Sequence, residues 1–109
     1  MADADGLACD MSALPREARA EHEALARRLM RAVVEMVELA DGFAFRFGSA
    51  EYDAVTRFVA GERRCCPFLQ FTLSVAPDQG PLWVRMTGPQ GAKAVLRAEL
   101  HLPPADSVG

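Results

Sequence analysis

The stretch Phe43–Phe47, with the sequence FAFRF, decides the fold of this chain. Its three phenylalanines alternate with smaller or polar residues, which is the two-residue period of a strand with one buried face. The pair Asp41-Gly42 comes directly before it and is a strong hairpin-turn signal. Residues 34–39, which are rich in β-branched and apolar side chains, therefore pair with this stretch as the first strand of a hairpin.

The same arrangement recurs further along the chain. The segment Leu82–Met86, LWVRM, again alternates large apolar residues and carries an arginine in the same place as FAFRF. An alternating segment at 69–75 precedes it across a proline- and glycine-containing turn, and a helical pattern at 90–100 follows it, as 50–64 follows the first hairpin. The repeat predicts two ββα units that form a four-stranded antiparallel sheet with helices on the phenylalanine face, an α+β fold.

An additional helix is predicted before these units. Pro15 is suited to a first helical position, and apolar residues recur at three- and four-residue spacing over 16–31. Three positions are open to this helix: a sheet edge, the other sheet face, or a partner chain. With 109 residues the chain is expected to form one domain, with 1–12 and 103–109 flexible.

Composition and charge exclude several classes of function. The net charge of −3 and the interspersed acids and bases lack the basic face of a nucleic-acid-binding protein. No apolar run approaches the roughly 20 residues needed to span a bilayer, and the acidic N-terminal residues do not form a signal peptide. We therefore expect a cytoplasmic protein. Its three cysteines are an odd number, and we expect them to be reduced thiols and not a disulfide framework.

The sheet face away from the helices is predicted to carry Arg46, Trp83 and Arg85 among otherwise small or polar residues. Two interpretations are open. The face is solvated, or it binds a ligand or a second copy of the chain with Trp83 as its anchor, because Trp and Arg are enriched at binding hot spots.

Chemistry is most concentrated in Glu62–Phe68, ERRCCPF. Pro67 ends the preceding helix and displaces Cys66 from it, so that the sulfurs of Cys65 and Cys66 can converge. A disulfide between them would be poor, because neighbouring Cα atoms lie about 3.8 Å apart and disulfides span about 4.4–6.8 Å. The negative end of the helix dipole opposes a thiolate nucleophile and favours a bound cation. Metal binding therefore ranks above catalysis, and simple packing of the cysteines remains the alternative.

Two cysteines need further ligands to hold a metal ion. Cys9, His22 and Glu62 are the candidates, with Glu62 one turn before Cys66 on the apolar side of its helix. Thiolate-rich sets of this kind suit Zn(II), Cu(I), Hg(II), Cd(II) or As(III). The alternative roles are an ion pair between Glu62 and an arginine, and a core or interface position for His22.

The segment Glu62–Phe68, together with LWVRMTG at 82–88, resembles a group of small bacterial proteins with an E-R-x-C-C-P-F motif. Cys9, Leu14 and the stretch 41–47 are similar too, so the resemblance covers about residues 7–100. It implies a cytosolic bacterial protein and directs attention to the glutamate and cysteines of the motif, without implying a reaction.

Three functions follow as hypotheses. The first is binding of a soft metal or metalloid ion for sequestration, delivery or sensing. The second is a thiol-dependent redox or detoxification enzyme with Cys65 or Cys66 as nucleophile. The third is a homodimeric interaction module whose cysteines only pack. Phosphate-binding loops and the metalloprotease and hydrolase motifs are missing from the sequence, which favours a binding function over an enzyme.

Overall fold

The structure, a computed structural model, describes residues 7–103. It confirms the α+β fold, with a four-stranded antiparallel sheet of strand order β1-β2-β4-β3. In chain order the elements are a 3-10 helix Met11–Ala13, α1 Arg16–Ala32, β1 Glu35–Leu39, β2 Gly42–Phe47, a 3-10 helix Ser49–Glu51, α2 Tyr52–Cys65, β3 Gln70–Val75, β4 Leu82–Thr87 and α3 Ala92–Leu100. Two ββα units thus follow α1, as the repeat predicts.

The two central strands supply most of the sheet's core. Phe45 of β2 lies opposite Val84 of β4, and both side chains are buried against the helical layer. Phe58 of α2 and Leu96 of α3 belong to the same core cluster, which places both helices on the phenylalanine face. The alternation read from the sequence therefore assigns the buried face correctly.

The opposite sheet face carries the three residues predicted there. Arg46 pairs with Trp83 across β2 and β4, and its guanidinium carbon lies 6.0 Å from the centre of the indole ring. Arg85 lies opposite Ala44 on the same face. A homodimer through this face stays a prediction, which sedimentation equilibrium of the wild type and Trp83→Ala would test.

Helix α1 packs on α2 and α3, and not on the far face of the sheet. Leu29 of α1 is fully buried in the core cluster. Helices α1 and α2 approach closely at Gly61 of α2, where an added Cβ atom would lie 2.6 Å from Nδ1 of His22 in α1. The absence of a side chain at Gly61 thus lets α1 bring His22 to the C-terminal half of α2.

The segment before α1 is attached to the end of α2. The amide of Asp10 donates a hydrogen bond to the carbonyl of Cys65 over 2.6 Å, and Asp10 also caps the 3-10 helix through Ser12. Of the ends predicted to be flexible, residues 1–6 and 104–109 lie outside the described range. Within residues 7–103, no helix has the length and apolar character needed to cross a bilayer.

Candidate functional site

The vicinal cysteines occupy the end of α2, as predicted, but their sulfurs join different groups of side chains. Cys65 is the last helical residue, and its thiol lies 3.5 Å from the carbonyl oxygen of Gly61. Cys66 caps the helix with non-helical φ and ψ angles of −124° and 71°, while its amide still donates to the Glu62 carbonyl. This change of backbone conformation turns the Cys66 side chain towards the N-terminal segment and away from a shared dithiol with Cys65.

The expectation of three reduced thiols is wrong for two of them, because Cys9 and Cys66 form a disulfide. Their Cα atoms lie 4.4 Å apart, within the range that disulfides span. The hydrogen bond from Asp10 to Cys65 explains the approach, since it fixes the N-terminal segment beside the helix end. Cys65 remains a free, buried thiol.

Two carboxylates contact the disulfide. Oε1 of Glu99 in α3 lies 3.0 Å from Cys9 Sγ and 3.4 Å from Cys66 Sγ. Oε2 of Glu62 lies 3.4 Å from Cys66 Sγ, and Glu62 has no exposed surface. The donor atoms of Cys9, Glu62, Cys66 and Glu99, which we call the four-donor cluster, all lie within 4.8 Å of one another. These residues could hold a metal ion once the disulfide is reduced.

His22 is the partner of Glu62, in place of the arginine considered as an alternative. Its Nε2 atom lies 2.8 Å from Oε1 of Glu62, and the His22 side chain is almost fully buried. The imidazole also stacks on Phe58, with ring centres 5.3 Å apart. Donor atoms of His22, Glu62 and Cys65 form a second group within 4.8 Å. Glu62 therefore belongs to both groups, with one oxygen towards His22 and the other towards the disulfide.

Burial and mutual repulsion change the acidity of two groups here. Loss of hydration raises the pKa of Glu99 to about 8, and the charge and hydrogen bond of Glu62 act in the same direction. Burial also raises the pKa of the Cys65 thiol to about 11, with Glu62 and Glu99 adding repulsion. Cys65 is consequently a protonated thiol at neutral pH and not an activated nucleophile.

Sequence reasoning found five of the six residues gathered here and missed Glu99. Cys9, His22, Glu62, Cys65 and Cys66 were all candidates, and they do lie together. Glu99 follows Val95 by four residues and so shares its side of α3. A glutamate on the flank of an apolar stripe was the available signal, but the sequence does not show that this flank faces α2 and the N-terminal segment.

A cleft of about 840 Å³ opens beside the disulfide. Residues of the N-terminal segment, α1 and α3 line it, and Cys9, His22 and Glu99 are among them. Cys9 is half-buried, whereas Cys66 has no exposed surface. The disulfide therefore has one sulfur at the cleft and the other in the core.

The chain has no significant match among models of protein families, curated proteins or solved structures. The resemblance to the bacterial E-R-x-C-C-P-F proteins therefore stays a prediction from the sequence.

Proposed function

We propose that this protein binds one borderline or soft divalent metal ion in its reduced state, through Cys9, Cys66, Glu62 and Glu99. The observation that carries this proposal is the convergence of four metal-ligand side chains from three separate parts of the chain within 4.8 Å. Soft thiolates and hard carboxylates in equal number suit Zn(II), and Cd(II) as its larger analogue.

The disulfide makes such a site dependent on redox state. Tetrahedral Zn(II) with Zn–S bonds of about 2.3 Å would hold the two sulfurs about 3.8 Å apart, which a covalent S–S bond forbids. Reduction of Cys9–Cys66 would free two thiols that already lie beside Glu62 and Glu99. Oxidation would then expel the ion.

His22 would act on the metal through Glu62. Ligating carboxylates are commonly oriented by a hydrogen bond from outside the coordination sphere, and loss of that bond typically costs 10–100-fold in affinity. The contact of 2.8 Å between His22 Nε2 and Glu62 Oε1 leaves Oε2 directed at Cys66. His22 is accordingly a positioning residue in this proposal, whereas the sequence suggested it as a ligand.

The ligand set differs from the predicted one in a way that bears on the choice of ion. As(III) favours three thiolates, but the third thiol, that of Cys65, belongs to the other group, with His22 and Glu62. Hg(II) and Cu(I) are satisfied by two thiolates and are the competing ions for Cys9 and Cys66. Titration with each of these ions distinguishes them from Zn(II) and Cd(II).

The biological role would be metal sequestration, delivery or sensing that stops on oxidation. The sequence predicts a cytoplasmic location, and cytosolic disulfides in mesophiles are usually transient and linked to catalysis or redox sensing. A bond that opens and closes in that compartment would couple metal occupancy to the thiol redox state.

A second candidate is a thiol–disulfide exchange enzyme. The disulfide itself favours it, because Cys9 borders a cleft and Glu99 lies within 3.4 Å of both sulfurs. Its redox pair would be Cys9 and Cys66, whereas the sequence suggested Cys65 or Cys66 as the nucleophile. The raised pKa of Cys65 removes it from that role.

Native mass spectrometry of the reduced chain, titrated with Zn(II), Cd(II), Hg(II), Cu(I) and As(III), tests the metal proposal. We expect one Zn(II) or Cd(II) per chain in the reduced wild type and none in the oxidised form. Cys65→Ser is the matched control, because it removes a neighbouring thiol outside the four-donor cluster. It should bind as the wild type does.

The double variant Cys9→Ser/Cys66→Ser should lose this binding. Equal affinity of the double variant and Cys65→Ser would exclude the metal proposal. Metal-independent catalytic reduction of added disulfides by the wild type, and not by the double variant, would establish the exchange enzyme instead.

A further inference from the structure

The cleft beside the disulfide gives access to one sulfur only. Cys9 contributes to the cleft wall, while Cys66 is fully buried beneath it. Thiol–disulfide exchange needs direct contact between the attacking sulfur and the sulfur attacked. An external reductant must therefore react at Cys9, with Cys66 as the leaving sulfur.

The walls of the cleft combine apolar surface with basic residues. Its apolar lining comes from the N-terminal segment, α1 and α3, and consists of Leu7, Ala8, Met11, Ala26, Met30, Val95, Ala98 and Leu100. Arg27 and Arg31 lie one turn apart on α1 and also line it, together with two glutamates, Glu23 of α1 and Glu99 of α3 beside the disulfide. Apolar walls with a pair of guanidinium groups complement a molecule that has a hydrocarbon body and an anionic head.

We propose that this cleft binds a small organic thiol with an apolar chain and a carboxylate head, and that this thiol reduces the Cys9–Cys66 bond by attack on Cys9. The apolar chain lies along Met30 and Val95, and the carboxylate pairs with Arg27 and Arg31. The volume of about 840 Å³ is in the range of small-molecule sites.

The exchange takes place in two balanced steps. The ligand thiolate forms a bond to Cys9 Sγ, the Sγ–Sγ bond breaks, and its electron pair leaves on Cys66 Sγ, which takes up the proton that the ligand thiol lost. A second thiolate, from another ligand molecule, then attacks the ligand sulfur of the mixed disulfide and displaces Cys9 as a thiolate, which takes up the proton that the second ligand thiol lost. Two ligand thiols become one ligand disulfide, and the protein gains two electrons and two thiols.

This proposal concerns how the disulfide is opened and does not depend on what the reduced site binds. Its test accordingly contains a chelator and no added metal. The full chain in its oxidised form is reduced with three thiols that share a six-carbon chain: mercaptohexanoate, mercaptohexanol and aminohexanethiol. Alkylation of the released cysteine thiols, followed by peptide mass spectrometry, gives the rate at which each compound reduces the Cys9–Cys66 bond. Each rate is divided by the concentration of the compound's thiolate form, so that the three can be compared.

We expect the rate to saturate with mercaptohexanoate and to follow the order carboxylate, alcohol, amine. The reduction rate with the carboxylate should exceed the rate with the amine by on the order of tenfold at low salt, and this ratio should shrink as salt is added. Arg27→Gln/Arg31→Gln should abolish the order. Arg63→Gln removes an exposed arginine of α2 outside the cleft and should preserve it. Equal rates for the three thiols, or the same loss in Arg63→Gln, would overturn the proposal.

The position of attack has its own measurement. The symmetrical disulfide of mercaptohexanoate is added to reduced Cys66→Ser and to reduced Cys9→Ser, and the labelled cysteine is identified by mass. Labelling of Cys9 in the first variant should be at least tenfold faster than labelling of Cys66 in the second. Equal labelling of Cys9 and Cys66 would contradict access through this cleft.

Discussion

Glu62 is the residue on which both groups of donor atoms depend. It is fully buried, and its two oxygens contact His22 on one side and Cys66 on the other. A buried carboxylate is tolerated because His22 pairs with it, and removal of one partner of a buried pair leaves an uncompensated charge. The local apolar pattern predicted that Glu62 faces inward, but the partner came from α1, 40 residues earlier.

We expect His22→Phe to lower the free energy of unfolding by about 3–5 kcal/mol, because it preserves an aromatic ring against Phe58 and removes the partner of Glu62. Urea unfolding of the oxidised protein measures this. The double variant His22→Phe/Glu62→Leu also removes the carboxylate and should recover part of the loss. A loss below about 1 kcal/mol in the single variant would show that the pair is not needed to keep Glu62 buried.

The raised pKa of Glu99 predicts a pH dependence of stability. Because its pKa rises from 4.5 to about 8 on folding, the folded state favours the protonated carboxyl. The stability that this group contributes is complete below about pH 4.5 and is lost as the pH rises to about 8. Glu99→Gln mimics the protonated form at every pH. The stability of oxidised wild type relative to Glu99→Gln should therefore fall across this window, and a constant difference would contradict a raised pKa.

At the scale of elements, the contact between α1 and α2 positions the site. Gly61 allows His22 to reach the C-terminal half of α2, and the ring is held there by Phe58 and Glu62. The sequence predicted the first and last residues of both helices to within one or two positions, because apolar periodicity is a local pattern. It left the position of α1 open, since that depends on which two helix surfaces fit together.

We expect Gly61→Ala to destabilise the protein by about 1–2 kcal/mol, although alanine is the better helix former. The new methyl group would lie 2.6 Å from His22 Nδ1, and a shift of the ring would disturb its contacts with Phe58 and Glu62. Thermal unfolding compares this variant with Gly48→Ala, whose added Cβ atom meets nothing within 4 Å and whose φ is −70°. The control should change stability by less than about 1 kcal/mol. Equal effects of the two substitutions would argue against the close approach of α1 and α2.

The N-terminal segment is the other element that builds the site, and its attachment is covalent. The Cys9–Cys66 bond joins two residues that are 57 positions apart in the sequence. For a closed loop of this length, the chain-entropy model gives about 4 kcal/mol of stabilisation. Cys9→Ser should lower the free energy of unfolding by about 2–4 kcal/mol under non-reducing conditions. Cys65→Ser retains the disulfide and is the control. If Cys9→Ser caused no change in stability, measured by urea unfolding, this would contradict the closed loop.

For the whole molecule, the features that the sequence predicts are local, and the features that it does not predict join residues far apart in the chain. Alternation and helical periodicity over short stretches of sequence predict the ββα repeat, the sheet face that carries Trp83 and the inward orientation of Glu62. The link from Cys9 to Cys66 and the approach of Glu99 depend on how separate elements pack, which no local pattern records. The vicinal position of Cys65 and Cys66 even misdirected the prediction, because the backbone bends between them and separates their surroundings.

X-ray absorption at the zinc edge, on the reduced full chain loaded with one Zn(II), tests the four-residue site most directly. We expect two sulfur ligands at about 2.3 Å and oxygen ligands at about 2.0–2.2 Å. Cys65→Ser should give the same spectrum, and Cys66→Ser should lose one sulfur. A shell of oxygen and nitrogen alone, or an unchanged sulfur count in Cys66→Ser, would contradict metal binding at Cys9, Cys66, Glu62 and Glu99.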